Sequence, residues 1–167
     1  GQVMQGLEGV IAMETRMSRV DGLAGELIIA GHFAGELARN HSFEQVFWLL
    51  WHGNLPTDAE ATELRRALGA SRADAFERLA GHAATRFRDP MDALRAMTSQ
   101  LESSEDLYAD AIAMLGAIPV ANALWSARQQ GCEPLPPSDA FDHARDYLRM
   151  LTGKDPGEAR AKALSTY

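Results

Sequence analysis

Between Asp110 and Arg128 the chain carries no charged residue. This run, Ala111 to Ala127, is shorter than a membrane span and is interrupted by Gly116, Pro119, Asn122 and Ser126. It reads as the middle of one long buried helix from Glu105 to Gln130, bent near Gly116 and Pro119 and ended by Gly131. Leu107, Ala111, Met114, Leu115, Ile118, Ala121 and Leu124 are too many apolar side chains for one exposed side. The helix therefore packs centrally, and the rest of the fold has to be laid around it.

The remaining sequence offers mostly helices for that purpose. Ser42 with Gln45 forms a capping-box pattern ahead of Phe43, Val46, Phe47 and Leu50, and Gly53 is placed to close that helix. Thr57 caps Asp58 to Leu68, with acids early and Arg65-Arg66 late. Ser71 reads as the start of a further helix, about residues 72–84. Asp89 caps a helix whose first residue is Pro90, with Met91, Leu94, Met97 and Leu101 on one face. Pro134, Pro136 and Pro137 make a stiff loop, after which Ser138 is expected to cap Asp139 to Thr152, closed by Gly153. Asp155-Pro156 opens a last helix. Ala163 to Tyr167 contains no glycine, proline or cap, so the expectation is of a helix that runs on.

Only the start of the chain reads as extended. Val10 to Thr15 and Glu26 to Ala30 flank the turn-rich Asp21-Gly22-Leu23-Ala24-Gly25, a pattern for a small hairpin or two short strands. The expected fold class is all-α, with an extended or hairpin segment over residues 1–32 followed by a helical portion over residues 33–167.

Composition narrows the function classes. Hydrophobic residues at 46 % and charged residues at 23 % fit a soluble globular protein. A net charge of -7 argues against nucleic-acid binding, which needs clustered cations. No basic-then-apolar leader is visible at the N-terminus, and the single cysteine, Cys132, has no internal disulfide partner. The expectation is a cytoplasmic protein that binds neither nucleic acid nor membrane.

Motifs of catalysis are missing. There is no Gly-x-Gly-x-x-Gly and no Gly-x-Ser-x-Gly, and Gly153-Lys154 is followed by Asp155 rather than Ser or Thr. His32, His41, His52, His82 and His143 lack metal-ligand spacing, so no metal site is expected. His52 reads as a cap on the last carbonyls of its helix, and His41 as a neighbour of the next cap. His82 and His143 read as exposed helix residues. Glu102, Glu105 and Asp106 read as an acid-rich helix start, and Met91, Met97, Met114 and Met150 as core filling.

Several motifs nevertheless stand in a recognisable order. They are Gly6-Leu7-Glu8-Gly9-Val10, Glu14-Thr15, Ser18, Asp21-Gly22 and Glu36-Leu37-Ala38. Next come Ser42-Phe43-Glu44-Gln45-Val46, Leu49-Leu50-Trp51-His52-Gly53 and Leu55-Pro56-Thr57. Pro90-Met91-Asp92-Ala93-Leu94-Arg95, Ile118-Pro119, and Phe141 through Met150-Leu151-Thr152-Gly153 complete the series. Together they resemble the citrate synthase and 2-methylcitrate synthase family over nearly the whole chain. Two positions depart from the family pattern. Ile29-Ala30-Gly31 stands where Tyr-Arg-Gly is common, and Gln5 where a basic residue often precedes the first glycine motif.

The resemblance implies a large helical domain, a smaller domain that closes over substrate, and a homodimer, here expected through the helix 105–130. It implies a Claisen-type condensation in which acetyl-CoA, or a close acyl-CoA, is co-substrate and oxaloacetate or a similar 2-oxo acid the acceptor. No permanently bound cofactor is implied. The α-proton of a thioester is a very weak acid, so a carboxylate must remove it while a histidine hydrogen-bonds the developing enolate oxygen. A second histidine polarises the keto group, and arginines grip the carboxylates. The resemblance places all of these groups beyond Tyr167. No catalytic residue is therefore assigned in this chain, its cofactor-binding residues stay unassigned, and the chain alone is expected to be inactive. Two alternatives stand beside this reading: 2-methylcitrate synthesis or citryl-CoA cleavage on the same scaffold, and a short non-catalytic dimerisation or regulatory homologue.

Overall fold

The computed structural model describes residues 18–21, 26–29, 31–157 and 161. Among the described residues three short strands come first: β1 (Ser18–Asp21), β2 (Glu26–Ile29) and β3 (His32–Phe33). They form one antiparallel sheet in the order β1-β2-β3, with Arg19 opposite Ile28 and Ile29 opposite His32. The expected hairpin is there, but its first strand is Ser18–Asp21. Val10 to Thr15, Gln5 and Ala30 lie outside the described residues. Gly31, at φ 85°, makes the tight reversal between β2 and β3.

The elements that follow among the described residues are helical: α1 (Ala34–Asn40), α2 (Phe43–His52), α3 (Asp58–Leu79), a 3-10 turn (Ala83–Arg86), α4 (Pro90–Thr98), α5 (Leu107–Gln129) and α6 (His143–Thr152). Several of the expected helix ends hold in detail. Ser42 accepts from Gln45 N while the Gln45 side chain reaches back to Ser42 N at 2.9 Å. Thr57 and Glu60 do the same for α3. Asp89 accepts from Met91 N and Asp92 N ahead of Pro90. Gly53 and Gly153 close α2 and α6 in the left-handed conformation.

Three boundaries differ from expectation, the first of them through a distant partner. Ser71 does not start a helix; α3 runs through it to Leu79. The Ser71 hydroxyl donates to Ile112 O of α5 at 2.9 Å, so it serves the helix crossing and not a cap. Asp142, not Ser138, caps α6 by accepting from Arg145 N. Ser138 instead donates its backbone N–H to the Asp146 carboxylate. Asp106 caps α5, so Glu105 precedes that helix. Of the last helix, only Gly157 and Ala161 fall among the described residues.

Helix α5 is the spine. Its inner face buries Ala117, Val120, Ala121 and Leu124 against Ala75 and Leu79 of α3, Ala93 and Met97 of α4, and Met150 of α6. A second cluster, Leu64, Leu68 and Ile112, packs under Phe43, Phe47, Trp48, Tyr108 and Leu115. By length and composition α5 is also apolar enough to cross a membrane, but 44 % of that stretch is buried by the other helices. Methionines divide between two roles. Met97 and Met150 fill the core, whereas Met91 and Met114 are exposed, contrary to the expectation that all four are core residues.

Candidate functional site

The richest polar arrangement among the described residues lies inside the protein, where α2, α3 and α6 meet. His143 opens α6 and is only 7 % exposed, so it is not the surface residue that its sequence neighbourhood implies. Its backbone N–H donates to Glu44 Oε1 of α2 at 2.7 Å. The ring stacks on Phe43 with centroids 4.7 Å apart. Nδ1 lies 2.8 Å from Arg72 Nη1. A guanidinium has no acceptor, so Nδ1 must accept, and the proton sits on Nε2. A hydrogen bond to the Leu115 carbonyl fits that tautomer. Burial, and next the charge of Arg72, push the imidazole pKa down to about 3, against the opposing pull of that carbonyl. The ring is neutral at physiological pH and both nitrogens are occupied.

Arg72 is fully buried and spends its donors on three partners. Nε donates to Asp146 Oδ2 at 2.8 Å, Nη1 to His143, and Nη2 to Ser138 O at 3.2 Å. The Asp146 carboxylate also accepts from Ser138 N and from Arg149 Nε. Glu44 has one oxygen on His143 N and a second, Oε2, with no hydrogen-bond partner. The cluster is a tie between helices, since neither a free base nor a free acid faces open space. Sequence reasoning missed it. Glu44, Arg72, His143 and Asp146 are scattered along the chain, and only the i, i+3 pair His143–Asp146 was locally visible.

The other candidate residues stay apart. His52 ends α2, exposed, with its ring 4.0 Å from Trp48 and 5.6 Å from Tyr108. It packs on aromatics instead of capping carbonyls, and Gly53 N–H makes the closing bond to Leu49 O. His82 is half-buried and caps the 3-10 turn, its Nδ1 accepting from Ala84 N at 3.1 Å, so it is no exposed helix residue. His41 is half-buried, and its Nδ1 has no hydrogen-bond partner. Glu102 and Glu105 are exposed, and Asp106 accepts from Tyr108 N and Ala109 N as a helix cap. Among the described residues no group of three or more His, Cys, Asp or Glu is placed to hold a metal. A cavity of about 430 Å³ opens where the N-termini of α2 and α6 approach Arg65 of α3.

A small antiparallel sheet followed by helices arranged around a buried apolar spine defines a helical scaffold domain. The family model for the citrate synthase C-terminal domain matches residues 6–167. The chain belongs to the citrate synthase family. It is 33 % identical to a citrate synthase of Haloferax volcanii, over 97 % of this chain and 46 % of that protein. It is 32 % identical to a 2-methylcitrate synthase of Mycobacterium tuberculosis, over 96 % of this chain and 43 % of that protein. The crystal structure of citrate synthase from Thermotoga maritima superposes with a TM-score of 0.81 at 27 % identity, covering 99 % of this chain and 45 % of that one. The chain thus spans somewhat less than half the length of these relatives.

Proposed function

We propose that this chain supplies the helical scaffold of a citrate-synthase-type acyltransferase, which condenses acetyl-CoA or a close acyl-CoA with oxaloacetate or a similar 2-oxo acid. The base, the two histidines and the carboxylate-binding arginines come from sequence other than these 167 residues. One observation carries the reading. The family match runs from residue 6 to residue 167, yet the best-formed polar cluster is spent on holding helices together. The chain is similar both to citrate and to 2-methylcitrate synthases, so the acyl group is left to the test. The protein acts as a homodimer, with α5 in the two-fold interface.

The test is a graft. Residues 6–167 replace the matching stretch of the Thermotoga maritima enzyme, and thiol release is followed with oxaloacetate and either acetyl-CoA or propionyl-CoA. A folded chimera that turns over supports the scaffold role, and the preferred thioester indicates the acyl class. A folded chimera without turnover sinks it. The chain alone is expected to show none, because losing a positioned base or oxyanion donor costs on the order of hundreds-fold per group. Turnover by the chain alone that disappears in His52→Ala or His82→Ala overturns the assignment of catalysis to other sequence.

A further inference from the structure

The cavity between α2, α3 and α6 has a polar wall. His41 and Ser42 enter it from the start of α2, Arg65 from α3, and Asp142 and Arg145 from the start of α6. Two of its three charged groups already have partners. The Asp142 carboxylate turns back onto its own helix and accepts from Arg145 N at 2.8 Å. The Arg145 guanidinium is gripped by Asp155, Nε to Oδ1 at 2.8 Å and Nη2 to Oδ2 at 2.7 Å.

Arg65 differs. Its Nη2 donates to Ala140 O at 2.6 Å, and it forms no ion pair among the described residues. A guanidinium carries five N–H donors in a planar fork, so most of its capacity is unspent. The His41 Nδ1 atom is buried without a hydrogen-bond partner. Arg65, half-buried and without a counter-ion among the described residues, and His41, whose buried Nδ1 has no hydrogen-bond partner, thus line one cavity, in a chain whose net charge is -7. The guanidinium calls for an oxyanion, and His41 in the tautomer protonated at Nδ1 would add a donor. The fork suits two oxygens of one ligand, and an imidazole N–H at Nδ1 suits a third.

We propose that this cavity binds a small oxyanion, a phosphate or a short carboxylate, between Arg65 and His41. The site is a binding site only. It stands independently of the acyltransferase reading, since its occupant is recognised by charge and by hydrogen bonds.

The experiment uses the 167-residue protein at constant ionic strength, so that general screening stays fixed. Inorganic phosphate and succinate are titrated separately, with thermal unfolding and the nitrogen resonances of His41 as readouts. The expected result is a saturable rise in unfolding temperature with at least one probe, because a ligand that binds only the folded state stabilises it. Saturation by phosphate alone assigns a phosphoryl ligand, and saturation by succinate assigns a carboxylate. Arg65→Met weakens the response about tenfold or more, whereas Arg86→Met, on a different surface, leaves it intact. Absence of saturation with both probes overturns the proposal, as does an equal response in Arg65→Met. Should Arg65→Met fail to fold, the wild-type His41 resonances decide. Movement of the Nδ1 signal that saturates with the thermal response supports the site, and a signal that stays still refutes it.

Discussion

Arg72 of α3 and Asp146 of α6 meet at 2.8 Å with neither side chain reaching solvent. Removing one partner of such a pair leaves a buried charge uncompensated, which costs about 3–5 kcal/mol. Asp146→Ala is expected near the upper end, because Ser138 N and Arg149 lose the same carboxylate. Asp74→Ala supplies the contrast. It removes the Arg78–Asp74 pair, whose side chains are 54 % and 58 % exposed, and is expected to cost under about 1 kcal/mol. Urea unfolding of the two variants checks the ordering, and equal losses would refute it.

The crossing of α3 over α5 predicts a second sensitive position. A Cβ added at Gly116 would sit within the Ser71 side chain, 2.7 Å from its Cβ and 2.8 Å from its carbonyl carbon. Gly116→Ala ordinarily favours a helix by up to about 1 kcal/mol. Here the helices must separate instead, and overpacking of this kind costs about 1–3 kcal/mol or more. The expected sign is destabilising, by denaturant midpoint. Adding Ser71→Ala should recover little, since the backbone contact remains.

What was legible in the sequence was local. Ser42 with Gln45, Thr57 with Glu60, Asp89 before Pro90, and glycines 53 and 153 announce helix ends because each partner lies within one turn. The long apolar run announced a buried spine for the same reason. Ser71 and His143 misled because their partners are distant. A serine whose hydroxyl binds Ile112 O looks, in sequence, like a cap. A histidine held by Arg72 and stacked on Phe43 looks like one more polar residue at a helix start. The oxyanion cavity was illegible as well, since Arg65 and His41 share only a space and no spacing.

His143 makes the fold sensitive to acid. Its pKa falls from an ordinary 6.5 to about 3 in the folded protein. Between those values the unfolded chain binds a proton that the folded chain refuses, so stability rises with pH across this window. The contribution is complete above 6.5 and is lost as pH falls toward 3. Its slope is about 1.4 kcal/mol per pH unit where the difference is one full proton. Asp155, held down to about 2 first of all by the Arg145 hydrogen bond, loses its contribution in a lower window, between its ordinary 3.8 and about 2. Unfolding free energies measured from pH 7 to pH 4 should therefore slope downward in the wild type and clearly less in His143→Gln. Parallel slopes would show that another group carries the effect.

The outer face of α5 carries the last prediction. Leu107, Met114 and Ile118 recur at helical spacing and are 74 %, 40 % and 39 % exposed, while the opposite face is buried among α3, α4 and α6. An apolar stripe on the central helix fits a two-fold contact in which the same surface meets its copy. Ile118→Glu places a charge at the middle of that stripe. If the helix pairs across a two-fold axis, the carboxylate is buried against its own copy or the contact opens, and dissociation wins because an unpaired buried charge costs several kcal/mol. The monomer should keep its fold, because an exposed substitution shifts stability by only about 0.5 kcal/mol. Light scattering across a concentration series, with circular dichroism as the folding control, is the check. A wild-type chain that stays monomeric at the highest concentration, or an Ile118→Glu variant that still dimerises, rules out this face as the contact.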